Sequence, residues 1–160
     1  MPLDVAPKRR SKPTLPPIKD AEESPTGRKI RILIVDDVAL CRKLHHRVLK
    51  PSCHECVEAC DGQEAVDKVR ASLASGRPFD GILMDSSMPF MKGTEATKLI
   101  REMGFGGKIF GVTGNALQSD IDEFMAHGAD EVMIKPLTAE QFSRIISEVS
   151  THSDSFSSET

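Results

Sequence analysis

The sequence predicts an α/β fold: a doubly wound, five-stranded parallel sheet with five helices on its two faces. Two observations support this prediction. Short apolar runs recur at a pitch of about 25 residues, and each run ends in a polar or turn residue, as buried strands do. Between these runs, apolar residues are spaced three and four apart, which places them on one face of a helix. Regular alternation of strands and helices is typical of a parallel sheet that is covered on both faces.

The five apolar runs are the predicted strands. Each is much shorter than the ~20 apolar residues that a membrane-spanning helix needs, so no membrane insertion is expected. We predict strands at Ile30–Val35, Glu55–Ala59, Phe79–Met84, Lys108–Thr113 and Glu131–Ile134.

The segments between the predicted strands carry the helices. Prolines and glycines are placed to end the first four, at Pro51, Gly76, Gly104 and Gly128. Thr138 and Gln141 have the spacing of a capping box, which predicts the start of the fifth helix. The predicted apolar faces are, in order, Leu40, Leu44 and Val48; Val66, Val69 and Leu73; Ala96, Leu99, Ile100 and Met103; Ile121, Phe124 and Met125; and Phe142, Ile145, Ile146 and Val149.

Composition divides the 160 residues into three segments. Residues 1–29 hold six of the ten prolines and seven of the 21 Lys and Arg residues without helix or strand periodicity. We therefore expect a disordered basic arm or linker there. Residues 30–150 form the single predicted domain, and the Ser/Thr-rich residues 151–160 are expected to form a flexible tail.

Composition also limits the compartment and the partners. Residues 1–12 lack the apolar stretch of a secretory signal, so a cytoplasmic protein is expected. The basic run "KRRSK" at residues 8–12 makes the nucleus an alternative. The chain has no Trp or Tyr to stack on bases, so nucleic acid is not expected as a partner.

The four cysteines lie close together in the sequence, at Cys41, Cys53, Cys56 and Cys60. The "CHEC" stretch has the spacing of half a zinc site, but no matching second pair is present. Cys56 and Cys60 are predicted to lie in the second strand. Reduced core or surface thiols are the favoured interpretation, with metal or redox chemistry as the alternative. His45 and His46 are expected to face solvent or a partner.

Acidic, hydroxyl and basic residues stand at the carboxyl ends of four of the five predicted strands. Asp36 and Asp37 follow the first strand, Asp85 the third, Thr113 ends the fourth, and Lys135 follows the fifth. With the strand order 2-1-3-4-5, the three carboxylates meet in one crevice at the carboxyl ends of the strands. Carboxylates at such short distances repel one another, so the cluster needs a cation to offset its negative charge. Mg²⁺ suits such oxygen ligands.

The remaining residues of this set predict a phosphoryl acceptor. Lys135 adds a fixed positive charge beside Asp85, and Thr113 adds a hydroxyl group. A carboxylate that is flanked by a metal ion and an ammonium group can attack a phosphoryl group while the cations neutralise its oxygens. Aspartyl phosphate is a known product of nucleophilic carboxylates.

Four stretches together resemble the receiver domain of two-component response regulators: "ILIVDD", "ILMDSSMPFMKG", "GVTGNA" and "MIKPL". The resemblance covers about Ile30 to Val149 and implies the flavodoxin-like receiver fold. The stretch "GNALQSDIDEFMAHGADEVMIKPL" is most similar to the receivers of hybrid histidine kinases.

The resemblance implies roles for individual residues. Asp85 matches the phosphoacceptor. Asp37 matches the direct Mg²⁺ ligand, Asp36 the acid that acts through a bound water, and the backbone carbonyl of Ser87 the third protein ligand. Mn²⁺ is an alternative to Mg²⁺ at this site. Lys135 matches the lysine that pairs with the phosphoryl group.

The resemblance also implies how such a domain would report phosphorylation. Thr113 matches the switch hydroxyl, and Pro136 matches the proline that usually follows the lysine through a cis peptide bond. Val132 stands where many receivers have an aromatic residue. Signalling is therefore expected to run through the loop after Thr113 and the helix near Gln118–His127.

The predicted function is that of a phosphoacceptor in a two-component or phosphorelay pathway. A histidine kinase or histidine phosphotransfer protein is the expected donor, and the downstream protein is unknown. The chain is not expected to be an enzyme, because the chemistry occurs on its own Asp85. The alternatives are a Mg²⁺-dependent phosphohydrolase with Asp85 as nucleophile, and a receiver-like docking module that accepts no phosphate.

Overall fold

The computed structural model describes residues 29–156. The basic arm predicted for residues 1–29 therefore lies outside the described residues apart from Lys29, as do residues 157–160 of the predicted tail. The strands are β1 (Arg31–Val35), β2 (Glu55–Ala59), β3 (Gly81–Asp85), β4 (Lys108–Thr113) and β5 (Glu131–Ile134). The α-helices are α1 (Ala39–Leu49), α2 (Gly62–Ala74), α3 (Gly93–Glu102), α4 (Gln118–Ala126) and α5 (Ala139–Phe156), and a 3-10 turn (Lys50–Ser52) follows α1.

The five strands form one parallel sheet in the order β2-β1-β3-β4-β5. Strand β1 pairs with β2 on one side and with β3 on the other, so Val35 lies between Ala59 and Met84. The strand order reverses between β1 and β3, and the crevice of such a sheet opens at that point beyond the carboxyl ends of the strands. The predicted fold class is confirmed.

One apolar cluster covers each face of the sheet. Side chains alternate along a strand, so Ile32 and Ile34 of β1 point to the face covered by α1 and α5, and Leu33 and Val35 point to the face covered by α2, α3 and α4. All four side chains are buried. This two-sided burial explains why the strands are continuous apolar runs, which end only where the chain leaves the sheet.

The prediction for α1 was wrong about which residues face the sheet. The predicted inward residues are exposed: Leu40 by 78%, Leu44 by 55% and Val48 by 43%. The buried residues are His45 and Leu49. His45 packs edge-on against Phe142 of α5, with the ring centroids 5.7 Å apart, so the expectation that it faces solvent or a partner was also wrong. Helix α1 therefore presents an apolar stripe on its outer surface.

The predicted helix ends agree with the structure. Gly76, Gly104 and Gly128 follow α2, α3 and α4 with φ angles of 72°, 90° and 108°, a conformation that favours glycine. The backbone amide of Gln141 donates to the Thr138 hydroxyl and the amide of Thr138 donates to the Gln141 side chain, which is a capping box. Helix α5 extends to Phe156, so residues 151–156 continue the helix where a flexible tail was predicted.

Candidate functional site

The three predicted carboxylates converge at the carboxyl ends of β1 and β3. Asp36, Asp37 and Asp85 each offer one oxygen, and these oxygens all lie within 4.8 Å of one another. Asp36 and Asp85 are buried, whereas Asp37 is exposed. The Asp36 side chain also accepts a hydrogen bond of 2.9 Å from the amide of Val38, which fixes its orientation as the chain turns into α1.

Lys135 reaches this cluster from the end of β5. Its Nζ atom lies 2.8 Å from Oδ2 of Asp36 and 2.8 Å from Oδ1 of Asp85, so one ammonium group bridges two buried carboxylates. Burial lowers the pKa of Lys135, but the hydrogen bonds to Asp36 and Asp85 outweigh burial and raise this pKa above its usual value. Lys135 is therefore a permanent cation at neutral pH. The peptide bond between Lys135 and Pro136 is cis, as predicted.

The Asp85 carboxyl group holds its proton more tightly than an ordinary aspartic acid. Burial is the main cause, the hydrogen bond from Lys135 opposes it, and the nearby Asp36 charge adds to it; together they raise the pKa of Asp85 to about 6. A single lysine thus does not offset the charge of three carboxylates. The site suits a further cation, and its oxygen donors suit a hard divalent ion such as Mg²⁺.

A cavity of about 300 Å³ opens over Asp85. Ser87 and Thr113 line it together with Asp37 and Lys135, whereas Asp36 is buried and contacts the site through Lys135. The Thr113 hydroxyl donates to the Asn115 carbonyl and accepts from the Asn115 amide, both at 3.1 Å. The structure therefore brings all six predicted site residues together.

Gly93 also shapes the site, although it was not among the predicted site residues. A Cβ atom at this position, the first residue of α3, would lie 1.9 Å from the carbonyl oxygen of Asp85. The amide of Gly93 donates to the Ser86 carbonyl at 3.0 Å, which holds the loop after β3 against the helix. A glycine that opens a helix after a strand is the sequence signal that could have indicated this close approach.

Replacing Gly93 with alanine is expected to destabilise the fold by about 3 kcal/mol, because the backbone of Asp85 would have to move. Urea unfolding of Gly93→Ala and of the matched variant Gly114→Ala tests this expectation. A Cβ atom at Gly114 meets nothing within 4 Å, so that variant should unfold near the wild-type midpoint. Equal midpoints for the two variants would contradict the steric explanation.

A second cavity of about 440 Å³ adjoins the first and was not predicted. Both cavities share Ser87, Thr113 and Asn115, and the second extends to Lys92 and to Glu123 of α4. Glu123 accepts a hydrogen bond of 3.1 Å from the Thr94 hydroxyl of α3, so α3 and α4 are joined at this wall. Lys92 and Glu123 come from the start of α3 and the middle of α4 and belong to no compact motif, which explains why no sequence pattern indicated this cavity.

No zinc site is present among residues 29–156, where the acidic cluster is the one group of three or more potential metal ligands. The prediction that Cys60 lies in the second strand was wrong, because β2 ends at Ala59 and Cys60 is exposed. The described helices also include none that is long and apolar enough to cross a membrane.

Known proteins of two kinds are similar to this chain. It is 40% identical over 119 residues to the two-component response regulator ORR41 of Oryza sativa subsp. japonica, an alignment that covers 73% of this chain and 91% of that protein. It is 33% identical over 136 residues to the osmosensing histidine protein kinase SLN1 of Saccharomyces cerevisiae, which covers 84% of this chain and 11% of the kinase.

A solved structure agrees with these relatives. The receiver domain of the histidine kinase CKI1 from Arabidopsis thaliana, crystallised with Mg²⁺ and BeF₃⁻, superposes with a TM-score of 0.65 at 32% identity, covering 76% of this chain and 90% of that domain. The family model described as the response regulator receiver domain matches residues 32–147. The chain therefore belongs to the response regulator receiver domain family and is a receiver domain of two-component signalling.

Proposed function

We propose that Asp85 is the residue of this receiver domain that accepts the phosphoryl group, and that a phosphohistidine is the donor. The observation that carries this assignment is the placement of Asp85 in the lining of an open cavity, 2.8 Å from Lys135 and beside Asp36 and Asp37. In the transfer, a carboxylate oxygen of Asp85 bonds to phosphorus, the bond from phosphorus to the histidine nitrogen breaks, and its electron pair stays on the imidazole.

Each neighbouring side chain has a part in this transfer. Lys135 already contacts Oδ1 of Asp85 and is placed to pair with a phosphoryl oxygen once the acyl phosphate has formed. The Thr113 hydroxyl is held by the backbone of Asn115 in its own loop, so it can exchange that hydrogen bond for one to a phosphoryl oxygen. Such an exchange would move the loop between β4 and α4, which offers a route to the surface.

The carboxylates of Asp36, Asp37 and Asp85 and the backbone carbonyl of Ser87 are the groups that would hold Mg²⁺, with Mn²⁺ as an alternative. When bound, the ion neutralises charge on the phosphoryl oxygens as transfer proceeds. The support for this assignment is the convergence of the acidic oxygens within 4.8 Å and the raised pKa of Asp85, which burial and the neighbouring Asp36 charge produce.

The outer stripe of α1 (Leu40, Leu44 and Val48) is the surface on which we place the histidine kinase or phosphotransfer protein. Helix α1 begins three residues after Asp36, so its first turn lies at the rim of the site. No acidic residue occurs in α1, and Lys43, Arg47 and Lys50 line the groove beside the stripe with a single acid, Glu58 of β2, which suits a partner with an apolar surface and an acidic rim.

Leu44→Asn is expected to slow transfer from a phosphohistidine protein about tenfold, the effect of losing ~1.4 kcal/mol of apolar contact. Its labelling by a small phosphodonor should stay at the wild-type rate, because the site itself is unchanged. Leu99→Asn is the matched control, since Leu99 is also an exposed leucine but lies on α3, on the opposite face of the sheet. Stopped-flow or quench experiments measure the rate of phosphoryl transfer to both variants. An equal decrease in this rate for Leu99→Asn would contradict the proposal.

We propose further that the chain turns over no external substrate and acts in the cytoplasm, with the nucleus as the alternative. The phosphohydrolase alternative has no support at Ser87, the position two residues after Asp85, where such enzymes usually carry a second acid. The docking-module alternative has no support either, because the acidic set and Lys135 are complete and in contact.

The experiment that tests the proposal is labelling with a small phosphodonor and with a phosphorylated histidine protein, each with Mg²⁺ and with a chelator. The expected label depends on Mg²⁺, is sensitive to hydroxylamine and stays on the protein. A hydroxylamine-insensitive label would overturn the assignment to a carboxylate. Continuous release of phosphate from a free metabolite at a rate far above label decay would favour the phosphohydrolase.

A further inference from the structure

One residue in the loop between β3 and α3 has a backbone conformation that is rare for its type. Phe90 has a φ angle of 69°, in the left-handed region, and it is the one described residue other than glycine with a positive φ angle. The amide of Met91 donates to the carbonyl of Pro89 at 2.8 Å, so Phe90 is the central residue of a γ-turn. A γ-turn with a positive φ angle is strained, and a bulky side chain makes this conformation less favourable still.

The side chain of Phe90 does not stabilise the folded domain through burial. It is 104% exposed, more than any other large apolar side chain that the structure describes. A ring that stays in water gains none of the free energy of apolar burial. Strained backbone conformations persist where the surrounding structure imposes them, and they are concentrated at functional sites. A fully exposed aromatic ring on a strained turn therefore points to a contact with another molecule.

The residues on either side of Phe90 hold it in a fixed position. Met88 is buried, and both Met88 and Met91 pack in the apolar cluster that lies under α2, α3 and α4. Met91 lies so close to the first residue of α2 that a Cβ atom at Gly62 would be 3.0 Å from the Cβ atom of Met91. A contact residue that is already held in place loses less conformational entropy when a partner binds.

Phe90 stands at the rim of the phosphorylation site. Met88 and Lys92, two residues before and two residues after Phe90, line the cavity of about 440 Å³. This cavity shares Thr113 with the cavity over Asp85. A protein that brings its phosphoryl group to Asp85 must therefore cover the loop that carries Phe90.

Two further loops at this edge of the sheet also expose an apolar side chain. Val38, between β1 and α1, is 48% exposed and lines the cavity over Asp85. Leu117, directly before α4, is 56% exposed and follows Asn115, which lines both cavities, by two residues. We call Val38, Phe90 and Leu117 the apolar collar. Apolar side chains around a charged cavity exclude water once a partner covers them, which protects a reactive phosphoryl group from hydrolysis.

We propose that Phe90 is the anchor residue for the protein that carries the phosphohistidine, and that this donor has an apolar pocket for the Phe90 ring beside its histidine. The proposal rests on the proposed function, because it names a contact of the donor assigned there. The position of the collar selects the donor as the occupant, since the phosphohistidine must enter the cavity that the collar surrounds. The collar also continues from Val38 into the outer stripe of α1, which begins two residues later at Leu40, so one donor surface can contact both.

Phe90→Gly in the full chain tests the proposal, because glycine adopts a positive φ angle without strain and lacks the ring. We expect the rate of phosphoryl transfer from a phosphorylated histidine phosphotransfer protein to fall at least about tenfold, as for the loss of one well-packed aromatic contact. Labelling by acetyl phosphate with Mg²⁺ should stay at the wild-type rate. The midpoint of urea unfolding should be equal to that of the wild type or higher, because the strain at this turn is removed.

Two variants are matched controls for the loss of the ring. Phe90→Leu keeps an apolar side chain on the same turn, so its transfer rate should stay within about threefold of the wild type. Leu99→Ala removes another exposed apolar side chain, near the far end of α3, and should transfer at the wild-type rate.

Several results would overturn the assignment of Phe90. Transfer to Phe90→Gly at the wild-type rate would remove the contact with the donor, and a lower urea midpoint for this variant would show that the ring supports the fold instead. Wild-type dimers that Phe90→Gly dissociates in analytical ultracentrifugation would make a second copy of the chain the occupant. A wild-type chain that takes no label from acetyl phosphate or from a phosphotransfer protein would contradict the proposed function itself. If the wild type takes both labels and Phe90→Gly does so at the same rates, only the role of Phe90 fails.

Discussion

Asp85→Asn is expected to abolish phosphoryl labelling completely and, without Mg²⁺, to make the protein more stable than the wild type at pH 7.5. An amide cannot accept the phosphoryl group from phosphohistidine, so no label should remain. The gain in stability follows from burial, which raises the pKa of Asp85 to about 6 against an ordinary value of 3.8. Asn keeps the shape of the side chain and a hydrogen-bond acceptor for Lys135 without the buried charge.

The pH dependence of this effect has a definite sign. The folded protein holds the Asp85 proton more tightly than the unfolded chain, so this group contributes stability at low pH. That contribution is lost as pH rises from about 4 through about 6. At pH 7.5 the wild type should therefore be less stable than Asp85→Asn by on the order of 2 kcal/mol, and the difference should vanish near pH 4.

Urea unfolding in the presence of a chelator between pH 4 and 8 measures this difference. Addition of Mg²⁺ should stabilise the wild type more than Asp85→Asn, because the variant has one carboxylate fewer to hold the ion. Asp67→Asn, an exposed residue of α2 that pairs with Arg70, is the control and should keep wild-type labelling. A pH-independent difference between Asp85→Asn and the wild type would contradict the burial explanation.

Lys135→Met is expected to destabilise the metal-free protein by about 3 kcal/mol. The variant keeps most of the apolar stem but removes the ammonium group that bridges Asp36 and Asp85, which are 1% and 6% exposed at their side chains. Two buried carboxylates would then face each other without a counter-charge, and breaking a buried ion pair from one side is costly. The rate of phosphoryl transfer to Asp85 should fall as well, since the cation beside the accepting oxygen is lost.

Two comparisons distinguish the loss of stability in Lys135→Met from the effect of removing any lysine. Lys43→Met removes an exposed lysine that pairs with Glu58 at 3.1 Å, and it should change stability by no more than about 0.5 kcal/mol. Millimolar Mg²⁺ should recover part of the stability of Lys135→Met, because the ion supplies positive charge to the same carboxylates. Thermal unfolding with and without Mg²⁺ tests both points, and a Lys135→Met loss that equals the Lys43→Met loss would be inconsistent with a buried bridge.

The sequence alone predicted the site because of a general property of parallel sheets. A strand that is buried on both faces shows as an apolar run, and the first polar residue after it marks the point where the chain leaves the sheet. All parallel strands end at the same edge, so Asp36, Asp85 and Lys135 could be placed together without knowledge of any side-chain contact. The strands β2, β4 and β5 also have the bounds that were predicted.

The orientation of α1 shows where periodicity is insufficient. This helix has two stripes at four-residue spacing: one begins at Leu40 and continues through Leu44, and the other consists of His45 and Leu49. The first is the more apolar and was predicted to face the sheet. The structure buries the second because it meets Phe142 of α5, a contact between elements about one hundred residues apart. Helical spacing identifies a stripe but does not identify its partner.

The sequence by itself determined the fold class and the residues that end the strands at the carboxyl edge, because these depend on the pattern of apolar runs along one chain. Only the tertiary structure decided which side chains and backbone groups contact one another at that edge. The bridge from Lys135 to Asp36 joins residues 99 positions apart. The close approach of Gly93 to the carbonyl of Asp85 likewise depends on the distance between two backbone segments. Such distances follow from the packing of the whole domain and have no local sequence pattern.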